Sequence, residues 1–215
     1  MCGIVGYIGE KPVYDILING LKKLEYRGYD SSGVMIYNNE LLVKKSKGKV
    51  SALENLFSNE KDKKGTIGIG HTRWATHGPP NQVNSHPHIS NSGEISLVHN
   101  GIIENYDSIK KILLKKGYTF SSDTDSEVLV NLIEDIKKSK KVKLGKAVYY
   151  ALKQVVGAYA IVAFDSTNPK ELVGARLGSP LAIGVGESEY YFGSDATPFL
   201  EFTKRCVYLN DNEMA

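Results

Sequence analysis

The chain has 215 residues, 41% of them hydrophobic and 24% charged, enough to bury a sizeable core and fitting one large globular domain over 1–215. A net charge of +3 is too mild to imply a nucleic acid or a membrane surface as partner, and Cys2 and Cys206, the only cysteines, make neither a disulfide framework nor a zinc ribbon. The amino terminus lacks a signal-peptide pattern and the longest apolar run, Ala158 to Phe164, is far too short to span a bilayer, so a reducing, cytoplasmic setting is expected.

Met1 to Ile8 reads as a buried strand. Pro12 then opens a helix whose Val13, Ile16, Leu17, Leu21 and Leu24 share one face. Gly28 and Gly33 bracket a loop. Val34 to Tyr37 and Leu41 to Lys45 form a hairpin turning at Asn38-Asn39. Ser51 and Glu54 have the spacing of a capping box on a short helix. Thr66 to Trp74 is a strand containing Gly68 and Gly70, where backbone or ligand can approach closely. The stretch from Thr76 to Gly93 holds Pro79, Pro80 and Pro87 and reads as a long functional loop. Ile95 to His99 is a strand, and Ile109 to Lys116 completes a helix stopped by Gly117. Asp125 precedes a helical pattern of Val128, Leu129, Leu132, Ile133 and Ile136, and Leu144 to Val155 is a further helix. Strands follow at Ala158–Phe164, Glu171–Leu177, Leu181–Val185, Tyr190–Gly193 and Val207–Leu209. Strands mixed with paired helices argue for a layered α+β fold. The basic run from Lys137 to Lys143 lacks interleaved aromatics and reads as a solvated helix end.

Cys2 is the residue with most chemical content. With Met1 removed, it would carry a thiol nucleophile and a free α-amine, a base of pKa about 7.7–8.0. The alternative is a plain strand residue. Arg73, between a Gly-rich strand and a long loop, offers a planar fork suited to a carboxylate, with Thr76 and His77 as further donors; a surface ion pair is the alternative. Asn100-Gly101 fits a type I′ turn or an oxyanion hole, and the turn is favoured on the dipeptide alone. Asp125 fits a helix cap or a partner for an ammonium group. All five histidines lie between His71 and His99, yet none has metal-ligand spacing, so no metal is expected.

Five segments together carry a resemblance: Cys2-Gly3-Ile4-Val5-Gly6, Leu24 to Ser31, His71 to Gly78, Val98 to Asn105, and Thr124-Asp125-Ser126-Glu127. They resemble the glutaminase domain of class II glutamine amidotransferases, a group of N-terminal-nucleophile hydrolases, over essentially the whole chain. Within that class, Tyr26 to Ser31 and Trp74 resemble the glucosamine-6-phosphate synthases. The resemblance implies a four-layer αββα sandwich, with two antiparallel sheets between helical layers. It implies that Cys2 attacks the side-chain amide of L-glutamine with its own α-amine as base, that Asn100 and Gly101 stabilise the oxyanion, and that water releases glutamate from a thioester.

By the same resemblance, Arg73 binds the α-carboxylate with Thr76 and His77 in support, and Asp125 binds the α-ammonium. Arg27 orders the amino terminus and Trp74 gates the ammonia route. The loops from Arg27 to Ser32 and from Trp74 to Pro80 close over substrate. No cofactor is implied. In those synthases the ammonia passes to fructose 6-phosphate in a carboxy-terminal isomerase region, which this chain is expected to lack, and the full-length enzyme is expected to be a homo-oligomer. The chain alone is thus expected to release glutamate and ammonia without making the amino sugar. Alternatives are the glutaminase domain of another class II amidotransferase, a different N-terminal-nucleophile amide hydrolase, or a non-catalytic glutamine-binding regulatory module.

Overall fold

In β1 (Gly3–Ile8), alternation sends Val5 and Tyr7 to one face and Ile4 to the other, so this strand contributes to two cores at once. The computed structural model describes residues 2–74 and 81–215. Pro12, with φ −55°, leads into α1 (Val13–Lys23), whose Ile16, Leu17 and Leu21 cover the Val5–Tyr7 face. A 3-10 turn at Glu25–Arg27 follows, then the hairpin of β2 (Ser31–Tyr37) and β3 (Leu41–Lys47), with Asn39 at positive φ in the turn. The capping box expected on α2 (Val50–Glu54) does not form. Lys49 stands at the cap position, Glu25 instead accepts the Val50 N–H at 2.7 Å, and Glu54 pairs with Lys22 at 2.8 Å.

β4 (Ile67–Arg73) is buried along its whole length. It pairs Thr72 and Arg73 with Ser32 and Ser31, so β2 begins earlier than expected. The expected loop from Arg27 to Ser32 is accordingly shorter, because the ladder captures its last two residues. Within the stretch expected to be irregular, β5 (His88–Ile89) adds a short edge strand beside β6 (Ile95–Ile103). α3 (Tyr106–Lys115) ends at Gly117, whose φ of +90° lets its N–H and that of Tyr118 close on Leu114 and Leu113.

α4 (Asp125–Lys140) and α5 (Leu144–Leu152) then lie on the sheet that β6 shares with β7 (Gly157–Asp165) and β8 (Leu172–Leu177). β9 (Ala182–Val185), β10 (Tyr190–Gly193) and β11 (Cys206–Tyr208) return to the first sheet. The basic run departs from expectation at Lys137, which bonds the buried Asp165 carboxylate at 2.7 Å.

The sheets have strand orders β11-β9-β10-β1-β4-β2-β3 and β5-β6-β7-β8, with every pairing antiparallel. Three apolar clusters join four layers. One lies between α1, α2 and the larger sheet, one between α3, α4, α5 and the smaller sheet, and one between the sheets. The inter-sheet cluster includes Ile4, Ile69, Val98, Val162 and Phe164, each contributing about 1.5–3 kcal/mol by burial. This is the expected αββα sandwich. Among the described residues, no helix is long and apolar enough to cross a membrane.

Candidate active site

β1 lies between β4 and β10 in the middle of the larger sheet. Gly3 pairs with Thr72, so Cys2 lies just off the ladder end, beside Arg73 and Trp74. The Trp74 backbone brackets the thiol: its N–H donates to Sγ at 3.2 Å, and its carbonyl lies 3.5 Å from Sγ. Burial pushes the Cys2 thiol up, against the bond from Trp74 and the charge of Arg73. The thiol therefore keeps its proton at neutral pH and needs a base to become a nucleophile.

The first residues of β1 are held from β10's far end. Ile4 N–H donates to Ser194 Oγ and Ser194 N–H donates to the Ile4 carbonyl, each at 3.1 Å. Buried Arg27 grips the same turn, with Nη2 donating to the Ser194 carbonyl at 3.4 Å and Nε to Asp195 at 3.3 Å. Ser194 and Asp195 stand out by no motif in the sequence, where they merely follow the strand expected at Tyr190–Gly193. Beside Arg27, the chain at Gly28 packs closely on the end of β4. A Cβ at Gly28 would lie 2.7 Å from the Arg73 carbonyl carbon and 2.8 Å from Trp74 N.

A cavity of ≈ 280 Å³ opens over the thiol. Of the expected site residues, Cys2, Arg27, Arg73, Trp74, Asn100, Gly101 and Asp125 line it, while Thr76 and His77 lie outside the described residues. Arg73 and Asp125 are each 4% exposed and bring opposite charges to one small space. Burial pulls the Arg73 guanidinium down from its ordinary value, opposed by the charges of Cys2, Asp30 and Asp125. The Trp74 ring is half exposed and meets Tyr29 edge-on at 5.8 Å.

Asn100-Gly101 does not form the type I′ turn favoured by the dipeptide. β6 runs through it to Ile103, pairing Asn100 with Ala160 and Gly101 with Tyr159. Gly101 takes φ +132°, and a Cβ there would lie 2.0 Å from the Ala158 carbonyl oxygen, so only glycine fits. Asn100 Nδ2 donates to the Cys2 carbonyl at 3.0 Å, leaving a second amide hydrogen. Asp125 is not the cap of α4: Thr124 is, accepting the Glu127 N–H at 3.3 Å. The Asp125 carboxylate instead accepts the Ile103 N–H at 2.8 Å and ties the start of α4 to the end of β6.

The buried histidines pack behind the cavity as hydrogen-bonding groups. His86 Nε2 and His99 Nδ1 each lie 2.9 Å from Ser126 Oγ, His88 Nε2 lies 3.0 Å from Thr124 Oγ1, and the His71 and His86 rings pack with centroids 4.1 Å apart at a tilt of 34°. Among the described residues, no three His, Cys, Asp or Glu side chains are grouped to hold a metal ion. His86, His99 and Ser126 also line the cavity, which their spacing in sequence did not reveal.

Residues 57–215 match the family described as a glutamine amidotransferase domain. The chain is 57% identical over 217 residues to the glutamine–fructose-6-phosphate aminotransferase (isomerizing) of Bacteroides thetaiotaomicron, covering 100% of this chain and 35% of that protein. It is 46% identical over 214 residues to the enzyme of the same name from Pyrococcus horikoshii, covering 99% of this chain and 36% of the relative. The chain thus spans about a third of the length of these curated relatives. Among solved structures it resembles the glutamine phosphoribosylpyrophosphate amidotransferase of B. subtilis, with a TM-score of 0.80 and 28% identity over 100% of this chain and 48% of the other. A glutamine aminotransferase class-II domain protein from Silicibacter pomeroyi shares the fold at 15% identity, with a TM-score of 0.64, over 99% of this chain and 93% of the other. With its α+β sandwich and the thiol at its amino-terminal strand, the chain belongs to the glutamine amidotransferase domain family, in the class II branch.

Proposed function

We propose that this chain hydrolyses the side-chain amide of L-glutamine to glutamate and ammonia through a Cys2 thioester. The observation that carries the reading is the shared cavity, which unites the Cys2 thiol, the Asn100-Gly101 donors and the opposed charges of Arg73 and Asp125. Arg73 holds the substrate α-carboxylate as a bidentate fork and Asp125 holds the α-ammonium. The small cavity suits a free amino acid and disfavours a peptide, whose blocked termini would bring no opposite charges to meet Arg73 and Asp125.

With Met1 removed, the Cys2 α-amine takes the thiol proton through a water as Sγ attacks the amide carbon. The resulting oxyanion accepts bonds from the Asn100 amide and the Gly101 N–H, donors worth about 2.7–4 kcal/mol each in comparable sites. The C–N bond breaks as the ammonium of Cys2 returns its proton to the leaving ammonia. A water, activated by the same amine, then adds to the thioester, releases glutamate and restores the thiol. Thr76 and His77 support the carboxylate end, and Arg27 orders the nucleophile through Ser194. Trp74 gates the ammonia route. The whole of 1–215 acts as one catalytic domain without a cofactor.

In a longer enzyme of the relatives' kind, the ammonia passes to fructose 6-phosphate in a carboxy-terminal isomerase region, within a cytoplasmic homo-oligomer. Their printed name and the 57% identity across this chain support the transfer to fructose 6-phosphate. Hydrolysis of glutamine by this domain alone yields glutamate and free ammonia in equal amounts. The test is glutamate release by protein whose Met1 removal is verified by intact mass. Cys2→Ala is expected to abolish release. Unchanged release by that variant overturns the mechanism, and glutamine bound without turnover by the processed protein favours a regulatory binding module.

A further inference from the structure

An asparagine carboxamide has two nearly isosteric ends, and only one orientation presents donors to a developing oxyanion. At Asn100 the choice is made by what surrounds it. Oδ1 lies 2.9 Å from His71 Nε2, and Nδ2 lies 3.0 Å from the Cys2 carbonyl oxygen. His71 Nε2 also lies 3.1 Å from the His99 carbonyl, which can only accept. Nε2 must therefore carry the imidazole hydrogen and share it between two oxygens. The other ring nitrogen, Nδ1, is buried with no hydrogen-bond partner among the described residues, as fits a bare lone pair. Turning the Asn100 amide over would set its NH2 against the His71 N–H and its oxygen against the Cys2 carbonyl, two repulsive contacts in a buried site.

We propose that His71 is a positioning residue for the reaction: its Nε2–H fixes the Asn100 carboxamide with the NH2 group toward Cys2, so that the oxyanion donor is set before substrate arrives. This rests on the oxyanion role of Asn100 in the function proposed above. The placement follows from β4 itself. His71 and Arg73 are two residues apart on one strand and face the same side, so one strand carries both a substrate anchor and the group that aims the donor. The ring packs at a tilt against His86, whose Nε2 is in turn held by Ser126. Burial drops the His71 pKa to about 3, which keeps the ring neutral and its tautomer constant over the working range.

The test is a double-mutant cycle on the processed protein, reading kcat, KM for glutamine and thermal stability. His71→Leu removes the donor and is expected to lower kcat about 10- to 100-fold with KM within about 3-fold. His71→Gln can restore a donor near the Nε2 position and is expected to recover most of the loss. In an Asn100→Ala background, His71→Leu should change kcat by less than about 2-fold, because the group it aims is gone. An equal loss in both backgrounds, or a change in KM alone, overturns the positioning role while leaving glutamine hydrolysis intact. An Asn100→Ala variant with undiminished kcat instead removes the oxyanion reading on which the proposal stands. Independently of any variant's folding, nitrogen NMR of the imidazoles should show His71 as the Nε2–H tautomer without titration between pH 5 and 8. An Nδ1–H tautomer would overturn the proposal.

Discussion

Arg73 illustrates how much of this site depends on single side-chain geometry. Its guanidinium is buried at a strand end, beside the thiol and within electrostatic range of Asp125. A planar fork can meet both oxygens of a carboxylate, whereas an ammonium offers a point charge on a flexible stem. Arg73→Lys is expected to raise KM for glutamine at least about 10-fold with a smaller change in kcat. Steady-state kinetics check this, and an unchanged KM would contradict the carboxylate-binding role. Gly101 makes a different demand: positive φ and a carbonyl against its α-carbon leave no room for any other residue. The Asn100-Gly101 dipeptide read as a hairpin turn because both signals, a glycine with free φ and a polar neighbour, are shared by turns and by a kinked strand. Local sequence cannot separate the two, since the difference lies in the pairing with β7.

At the scale of elements, the start of α4 does most to join the layers. Thr124 caps the helix and bonds His88, while Asp125 receives the Ile103 N–H from β6. The carboxylate therefore has a structural partner and, in the proposed function, a substrate partner. Asp125→Asn separates the two, because an amide oxygen can still accept the Ile103 N–H but carries no charge. The expected outcome is a KM for glutamine raised about 10-fold or more, a much smaller loss of affinity for glutarate monoamide, and a Tm within about 2 °C of the parent. Equal losses for the two ligands would count against the ammonium-binding role. The capping motifs show where local reading was reliable. Gly117 stops α3 as its position suggests, because the αL closure is local. The Ser51/Glu54 box fails because Glu25, distant in sequence, supplies the acceptor instead.

At the scale of the whole molecule, the histidines behind the cavity link folding to pH. In an unfolded chain they protonate near pH 6.5. In the fold, burial lowers His71 to about 3 and holds His86 and His88 well below their ordinary value. The unfolded state therefore binds more protons as pH falls. The stability these groups contribute is complete above about pH 6.5 and declines below it, toward the pH near 3 at which His71 itself protonates. Each buried imidazole can remove up to about 1.4 kcal/mol per pH unit in that window. Urea unfolding at pH 7.5, 6.0 and 5.0 should show a steepening loss, and His88→Gln should flatten it by roughly one such increment per unit. Stability independent of pH over this range would contradict the neutral, buried assignment.

The order of most strands and helices, the α+β class and seven of the residues that line the cavity were legible in the sequence. Periodicity of two and of 3.6 records which faces are buried, and motifs such as Cys2-Gly3 and His71 to Trp74 keep neighbouring chemistry together along the chain. Thr76 and His77, legible as candidates in the same motif, lie outside the described residues. Other features depended on contacts between distant segments. Tertiary structure decided that Arg27 reaches the start of β1 through Ser194 and Asp195, that Asp125 serves β6 as well as its own helix, and that His71 faces the Asn100 amide. These partners lie 22 to 168 positions apart. Hydrophobic patterning specifies that two sheets stack, but which polar groups then meet at the edge of the stack is set by strand order and register, which no local stretch of residues encodes.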